Sequence, residues 1–251
     1  MSRVVLVGES WFVYSVHQKG FDAFYTSEYT EGGAEFIAAL EGAGHSVEHI
    51  PAHRIEADFP VTGEEVAARA DVLVISDVGA NSFLLSQATF VRSEVEPDRI
   101  AAIRDFVTAG GGVLMVGGYM SFAGIDGKAR WARTPLADIL PVFFLDRDDR
   151  VESPAGVIPA VTAEHPITRG LDPRWPALLG LNEVTPREDA TTLAVAGEHP
   201  LLIVGEAGAG RAAAFTSDLA PHWATPDFLA WSGYRHLFDR TVRWLAGEDV
   251  R

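Results

Sequence analysis

Short apolar runs bounded by turn residues recur along the chain and predict buried β-strands. The runs cover residues 4–7, 72–75, 113–116, 201–204 and 212–215. The first three are apolar at every position, as expected of parallel strands that are buried on both faces. Between these runs, helical periodicity predicts helices at residues 31–43 and 98–109. They end before Gly44 and Gly110, and Asp98 is expected to be the N-cap of the second helix.

This alternation of strands and helices predicts an α/β fold with right-handed βαβ units, namely a flavodoxin-like, doubly wound and mostly parallel sheet. Residues 140–193 are rich in proline and acidic residues and lack a long helical period, so we expect a β-rich insertion packed on the core. The glycine-rich residues 205–210 predict a hairpin turn, and residues 227–246 predict the last helix. Residues 1–251 are expected to form one domain with this insertion.

The amino-acid composition excludes several classes of function and disfavours others. The chain has 20 Lys and Arg against 35 Asp and Glu, a formal net charge of −15, which disfavours nucleic acids and anionic membrane surfaces. The first residues lack an export pattern, and no apolar run reaches the roughly 18 residues that a membrane span needs. We expect a cytoplasmic protein. There is no cysteine, which excludes disulfides, thiolate metal sites and thiol nucleophiles.

Polar residues follow four of the predicted strands. They are Gly8, Glu9 and Trp11 after the first, Ser76, Asp77, Gly79 and Asn81 after the second, Gly117, Gly118, Tyr119 and Ser121 after the third, and Ser217, Asp218 and His222 after the last. Such residues also suit turns and helix caps. Because ligands of open parallel sheets bind beyond the carboxyl ends of the strands, we expect these side chains to line a pocket.

Residues 112–122 form a buried strand that leads into a sharp glycine turn, a geometry that elsewhere presents a nucleophile. Tyr119 occupies the presented position. A phenol with a pKa of about 10 is a poor acyl-transfer nucleophile at neutral pH, but it can donate a hydrogen bond or relay a proton. Packing as an aromatic lid over the pocket is the alternative.

Several of these segments together resemble a known family. They are residues 8–11 with 17–22, 76–81, 115–121, 148–152 and 215–223. In this order they resemble the "putative glutamine amidotransferase" cytoplasmic proteins of the class I glutamine amidotransferase-like superfamily, and the resemblance spans essentially the whole chain.

The resemblance implies a catalytic cysteine at the glycine turn and a His-x-Glu pair after the last strand. This sequence has Tyr119 at the turn, while Asp218 and His222 follow the last strand with a different spacing. The resemblance therefore implies a family member without glutaminase activity. It also suggests Arg150 as a bidentate anchor for a ligand. A more distant resemblance to trehalose-utilisation proteins suggests a carbohydrate-like ligand.

Two functions remain open. In the first, the protein is an enzyme, a hydrolase or lyase, that acts on a small polar, sugar-derived metabolite. His222 is then the general acid or base, Asp218 or Asp77 orients it, and Tyr119 donates hydrogen bonds. The residues expected to bind substrate are Glu9, Trp11, His17, Asp77, Asn81, Ser121, Arg150 and Trp223, with Trp11 and Trp223 stacking on a sugar face.

The second function is a non-catalytic small-molecule-binding or regulatory domain that lost its nucleophile. A third interpretation, compatible with both, is that exposed aromatic residues form a homo-oligomer interface. No cofactor is expected. A divalent metal held by Glu9, His17, Asp77, Asp218 and His222 is an alternative, because imidazoles and carboxylates are suitable ligands, but no compact histidine motif supports it.

Overall fold

The computed structural model describes residues 1–250. Its strands are β1 (Arg3–Gly8), β2 (Ser10–Lys19), β3 (Asp22–Glu31), β4 (Ser46–Ile50), β5 (Val72–Ser76), β6 (Gly112–Val116), β7 (Val142–Phe144), β8 (Arg150–Val157), β9 (Pro159–Val161), β10 (Leu178–Asn182), β11 (Val184–Pro186), β12 (Thr191–Ala196), β13 (His199–Ala207) and β14 (Gly210–Phe215). Its α-helices are α1 (Ala34–Gly42), α2 (Ile55–Asp58), α3 (Gly63–Arg69), α4 (Asn81–Leu84), α5 (Gln87–Arg92), α6 (Arg99–Thr108), α7 (Pro226–Ala230) and α8 (Ser232–Leu245).

A mostly parallel, eight-stranded sheet organises the molecule, in the order β4-β1-β5-β6-β14-β13-β12-β9. The strands from β4 to β14 in this order are parallel, and β13, β12 and β9 extend the sheet with antiparallel pairing. The predicted α/β character and the five predicted strands are confirmed. They were predictable because β1, β5 and β6 lie inside the sheet and bury nearly every side chain.

Helices cover both faces of the sheet and bury two apolar clusters. Phe36 of α1 and Leu237 of α8 belong to the cluster on one face, whereas Val66 of α3 and Ile103 of α6 belong to the cluster on the other. Local signals fix the helix ends. The carboxylate of Asp98 accepts hydrogen bonds from the first backbone amides of α6, and Gly110 adopts a φ of 123° after its last turn.

The end of the chain departs from the prediction of one helix over residues 227–246. Trp231 adopts extended backbone angles (φ −65°, ψ 131°) and separates α7 from α8. Its indole ring packs so closely on Gly233 that a Cβ there would lie 2.1 Å from a ring carbon. Helical periodicity alone cannot show this break, because the apolar positions keep their spacing across it.

Residues 10–31 depart most from the prediction. They form a hairpin of β2 and β3, each ten residues long, which forms its own two-stranded sheet. Here we call it the arm. It also delays the first helix, which begins at Ala34 and not at Glu31. Alternating aromatic and β-branched residues around Lys19-Gly20-Phe21-Asp22 are the signal that indicates this hairpin.

Residues 140–193 contain short strands that pair in different places. β7 pairs with β11 and β8 pairs with β10 as separate ribbons, while β9 and β12 join the edge of the main sheet. The predicted hairpin turn at residues 205–210 is confirmed, because β13 and β14 pair up to Ala207 and Gly210. Within residues 1–250, none of the helices is both long enough and apolar enough to cross a membrane.

Candidate functional site

The carboxyl ends of four adjacent strands meet at one edge of the sheet. Along the parallel register, Gly8 of β1 pairs with Ser76 of β5, Ser76 pairs with Val116 of β6, and Val116 pairs with Phe215 of β14. The polar residues that follow these positions therefore leave the sheet side by side. The expected convergence of the strand ends is thus a direct consequence of the register.

Two acids, the buried Glu9 and the partly buried Asp77, occupy strained backbone positions at this edge. Glu9 has a φ of 45° and Asp77 a φ of 41°, in the left-handed region that most residues avoid. The backbone N–H of Glu9 donates to the Ser76 carbonyl at 3.0 Å, and the Ser76 hydroxyl donates to the Glu9 carboxylate. Asp77 accepts a hydrogen bond from the Met120 backbone N–H at 2.6 Å. These bonds hold both acids at the start of their loops.

Mutual repulsion and burial disturb the ionisation of these acids. Burial raises the pKa of Glu9 well above its ordinary value, and the nearby carboxylates of Asp218 and Asp77 raise it further. Burial and Asp218 likewise raise the pKa of Asp77 to about 6, although the Met120 N–H opposes the shift. The site therefore contains carboxyl groups that keep protons at a pH where ordinary acids have lost them.

His222 stands beside this cluster and is more accessible. Its Nδ1 lies 3.2 Å from Oδ2 of the buried Asp218, and 38% of its side-chain surface is exposed. The hydrogen bond to Asp218 raises the pKa of His222, although partial burial opposes the shift. Within residues 1–250, Nε2 of His222 has no hydrogen-bond partner. With Asp218 accepting the Nδ1 proton, Nε2 is available for proton transfer.

Tyr119 lies on the glycine turn as the sequence predicts, but no helix follows the turn. Gly118 adopts a φ of 144° and its N–H donates to Asn182 Oδ1 at 3.0 Å. Asn182 Nδ2 in turn donates to Asp149 at 2.8 Å, and Asp149 accepts two backbone N–H bonds from Ala123 and Gly124. The turn is therefore fixed by a buried polar network.

Asn182 and Asp149 were missed as site residues. Asp149 lies in a segment that carried the family resemblance, but it was assigned no role, and Asn182 lies in the predicted insertion. No local pattern distinguishes a buried asparagine that holds a distant turn from one that shapes its own turn. Only the tertiary pairing of β10 with the turn after β6 reveals the function of Asn182.

Four aromatic and charged residues adjoin His222 and form what we call the wall: Tyr119, Arg150, Glu152 and Trp223. The Tyr119 hydroxyl and the Trp223 indole N–H both donate to the carboxylate of Glu152, each at 3.0 Å. The Arg150 guanidinium lies 4.6 Å from the centre of the Tyr119 ring. The Tyr119 ring also meets the His222 ring edge to face, with centroids 4.4 Å apart. Glu152, which lies in a segment that carries the family resemblance but is given no role from the sequence, thus joins the turn after β6 to the loop after β14.

Three predicted ligand contacts need correction. Trp223 is only 1% exposed and offers no free ring face for stacking on a sugar. Ser121 is fully buried and its hydroxyl accepts the Asp77 backbone N–H at 3.1 Å, so it positions Asp77 and has no free surface for a substrate. His17 lies far along the arm, stacked on Phe24 with centroids 4.4 Å apart, roughly 25 Å of extended chain away from Glu9.

The other predicted residues have different surroundings. Trp11 is partly exposed at the root of the arm, where a Cβ on Gly32 would lie 3.1 Å from the Trp11 ring and 2.7 Å from the Glu9 carboxylate. Asn81 is exposed at the first residue of α4. Arg150 is already paired, because its guanidinium donates two hydrogen bonds to Asp148 at 3.0 and 2.8 Å.

The alternative of a metal centre finds no support in the geometry. In the part of the chain that the structure describes, residues 1–250, no three His, Asp or Glu side chains are arranged to hold a metal ion. The five residues proposed as ligands cannot act together, because His17 lies on the arm while the other four lie at the sheet edge.

Comparison with known proteins identifies the family of the chain and agrees with its fold. Residues 3–247 match the family described as "Putative glutamine amidotransferase", and the chain belongs to this family. The resemblance expected from the sequence motifs is therefore confirmed, in a member that has no cysteine.

Two solved structures from Salmonella are similar over nearly their full length. "Cytoplasmic Protein STM3548" from Salmonella typhimurium is 40% identical, with a TM-score of 0.93, 97% of this chain covered and 98% of that protein. "Cytoplasmic Protein STM1381" from Salmonella typhimurium LT2 is 41% identical, with a TM-score of 0.93 and coverages of 96% and 98%.

A more distant "Putative thua-like protein" from Bacteroides uniformis is 14% identical with a TM-score of 0.57, covering 96% of this chain and 89% of that protein. That similarity concerns the fold alone. No curated protein matches the sequence.

Proposed function

We propose that this protein is a glutamine amidotransferase-like protein without glutaminase activity, which binds a small polar, sugar-derived metabolite and transforms it by acid–base or hydrolytic chemistry. The observation that carries the proposal is the Asp218–His222 pair, in which a buried carboxylate orients a partly exposed imidazole at the edge of the sheet. Imidazole is the side chain that best exchanges protons near neutral pH.

The arrangement supports a definite division of roles. Asp218 accepts the Nδ1 proton of His222, so Nε2 can remove a proton from the substrate or from water and return it later. Asp77 and Glu9, whose pKa values are raised, lie close enough to Asp218 to interact with its charge. Their negative charge, when present, favours the protonated imidazole and so stabilises the form that follows proton abstraction.

The chemistry we propose has no covalent intermediate. Glutamine hydrolysis in this superfamily depends on a thiolate, and the chain has no cysteine. Tyr119 stands at the corresponding turn, but its hydroxyl donates to Glu152, and burial followed by that hydrogen bond raises its pKa above the ordinary value. Tyr119 is therefore suited to donate a hydrogen bond, which fits a hydrolase that activates water directly or a lyase.

The second candidate function is a non-catalytic binding or regulatory domain. It is favoured by the way the polar groups of the wall satisfy one another: Glu152 accepts from Tyr119 and Trp223, and Arg150 binds Asp148. A small molecule could bind by replacing some of these bonds without being transformed.

The fold type, the domain organisation and the cellular location of the protein are part of the same proposal. The order of the parallel strands, β4-β1-β5-β6-β14, is that of flavodoxin-like, doubly wound sheets, which supports this fold type, with residues 140–193 as an insertion in a single domain. Both Salmonella relatives are described as cytoplasmic, and the formal net charge of −15 suits a soluble protein. We place the protein in the cytoplasm on these grounds.

Two measurements test the proposal. A panel of sugars and sugar acids is first screened by thermal unfolding of the chelator-treated protein. A ligand present at about 100 times its Kd adds about 2.7 kcal/mol, which raises the midpoint by roughly 5 to 10 °C at this chain length. A divalent-metal panel in the same assay tests whether any ion contributes.

Turnover of the ligand that binds is then compared between His222→Gln and His236→Gln. His236 is an exposed histidine of α8 and provides the matched control. We expect His222→Gln to lower turnover by about 100 to 10,000-fold, with Kd changed only a few-fold. Unchanged turnover in His222→Gln would refute the assigned role, and binding without turnover in the unmodified protein would support the binding domain.

A further inference from the structure

Beyond its root, the arm exposes an uncharged aromatic surface that no residue within 1–250 covers. Its strands pair one to one from Ser10 with Glu31 to Lys19 with Asp22, so opposite residues share a face. One face carries every charged side chain of the arm beyond its root, namely Lys19, Asp22 and Glu28. The other, which we call the aromatic face, carries Phe12, Tyr14, Val16, Tyr25 and Tyr29.

The aromatic face is anchored at one end only. Near the root, the rings of Phe12 and Tyr29 contact His53 of the body, with centroids 5.7 and 5.1 Å apart. Farther out, Tyr14, Val16 and Tyr25 are 77%, 64% and 75% exposed. Isolated two-stranded hairpins are marginally stable in water, so a ten-residue arm of this composition indicates a missing covering surface.

The exposed area is that of a specific interface. At roughly 200 Å² for a fully exposed aromatic side chain, the aromatic face together with Phe21 at the tip exposes about 800 Å². A standard protein interface buries about 800 Å² per partner. The largest apolar patch on a typical monomer is only about 300 to 600 Å². The area is therefore larger than a monomer usually leaves uncovered and sufficient for a dimer.

We propose that the aromatic face packs against the aromatic face of a second copy of this chain in a two-fold symmetric dimer. The face is complementary to itself, because it presents mainly aromatic and aliphatic side chains and carries no charge beyond its root, as an isologous contact requires. A ten-residue strand spans about 33 Å, several times the Debye length of about 8 Å at physiological salt. Contact through the arms therefore keeps the two acidic bodies, each with a formal charge of −15, beyond effective repulsion.

The matched pair Val16→Lys and Val13→Lys tests this dimer. Both residues are valines of β2, but Val16 lies on the aromatic face and Val13 on the charged face. Sedimentation equilibrium should give twice the monomer mass of 27.1 kDa for the unmodified protein and for Val13→Lys. Val16→Lys should raise the dimer Kd at least ten-fold. A monomeric unmodified protein, or equal effects of the two variants, would overturn the proposal.

Cysteine scanning provides a second test, because the chain has no cysteine of its own. Under mild oxidation, Val16→Cys should form a disulfide-linked dimer and Val13→Cys should not; the reverse pattern would contradict the arrangement.

Neutral phosphatidylcholine vesicles test the alternative that the aromatic face binds a lipid surface. If the unmodified protein sediments with them as a monomer and Val16→Lys does not, the aromatic face binds lipid and the dimer is wrong.

Discussion

Replacing the partly buried Asp77 with asparagine should stabilise the protein, in contrast to most substitutions. Burial and the neighbouring Asp218 raise the pKa of Asp77 from an ordinary 3.8 to about 6. The carboxyl group therefore binds its proton more tightly in the folded state than in the unfolded state. Its contribution to stability is fully present below pH 4 and is lost as the pH rises through about 6. Above that pH the ionised group costs about 3 kcal/mol, at 1.36 kcal/mol per pKa unit.

Asparagine removes this cost and keeps the local structure. Its amide oxygen can still accept the Met120 N–H, and asparagine tolerates the positive φ of 41° at this position. At pH 8 we expect the free energy of unfolding to rise by about 2 to 3 kcal/mol and the midpoint by roughly 4 to 12 °C. The gain should shrink as the pH falls from 7 to 4.5.

Urea unfolding across this pH range measures the effect, with Asp71→Asn as the control. The pKa of Asp71 is lowered although burial opposes the shift, because its carboxylate accepts hydrogen bonds from Arg3. Asp71→Asn should therefore destabilise the protein at pH 8, which is opposite to the stabilisation expected for Asp77→Asn. The loss should become smaller at low pH. Destabilisation by Asp77→Asn at pH 8, or a gain that is independent of pH, would refute the electrostatic reasoning.

Three further changes probe the turn that carries Tyr119. Asn182→Ala leaves the buried Gly118 N–H without a partner and removes one of the hydrogen bonds that the Asp149 carboxylate accepts. The free energy of unfolding should therefore fall by about 1 to 3 kcal/mol in urea titrations; a loss below 0.5 kcal/mol would contradict the network. Gly118→Ala adds a Cβ 2.7 Å from the Asp77 carboxylate at a φ of 144°, and thermal unfolding should show a lower midpoint than in the matched Gly110→Ala, whose Cβ meets nothing within 4 Å at a φ of 123°. Trp223→Phe removes the indole donor to Glu152 while keeping an aromatic ring, and should weaken ligand binding several-fold in calorimetry. An unchanged Kd would show that the bond between Trp223 and Glu152 does not contribute to ligand binding.

The sequence allowed the central sheet to be predicted, together with the location of the site, because both follow from buried parallel strands. Apolar runs identify β1, β5 and β6, and the register then brings Glu9, Asp77 and the turn after β6 to one edge. What the polar residues do there depends on tertiary contacts. Ser121 follows a strand as a substrate-binding serine would, yet it is buried and bonded to the backbone of Asp77.

The arm was missed for a different reason. Its alternating pattern is typical of a strand with one buried face, but the continuous apolar runs were the stronger signal in the search for a buried sheet. His17 was consequently assigned to the pocket, although eight residues of extended chain, from Ser10 to His17, carry it away from the edge. The break at Trp231 was also invisible, because helical spacing continues through it.

The position of β14 determines when the molecule can fold during synthesis. This strand ends at Phe215, late in the chain, but lies in the middle of the sheet between β6 and β13. A nascent chain therefore holds two incomplete half-sheets until the ribosome has passed residue 215. At about 5 to 20 residues per second, the exposed edge of β6 waits roughly 5 to 20 seconds after its own synthesis. During that interval, and in any chain terminated before β14, the edges of β6 and β13 that β14 covers in the complete sheet stay unpaired.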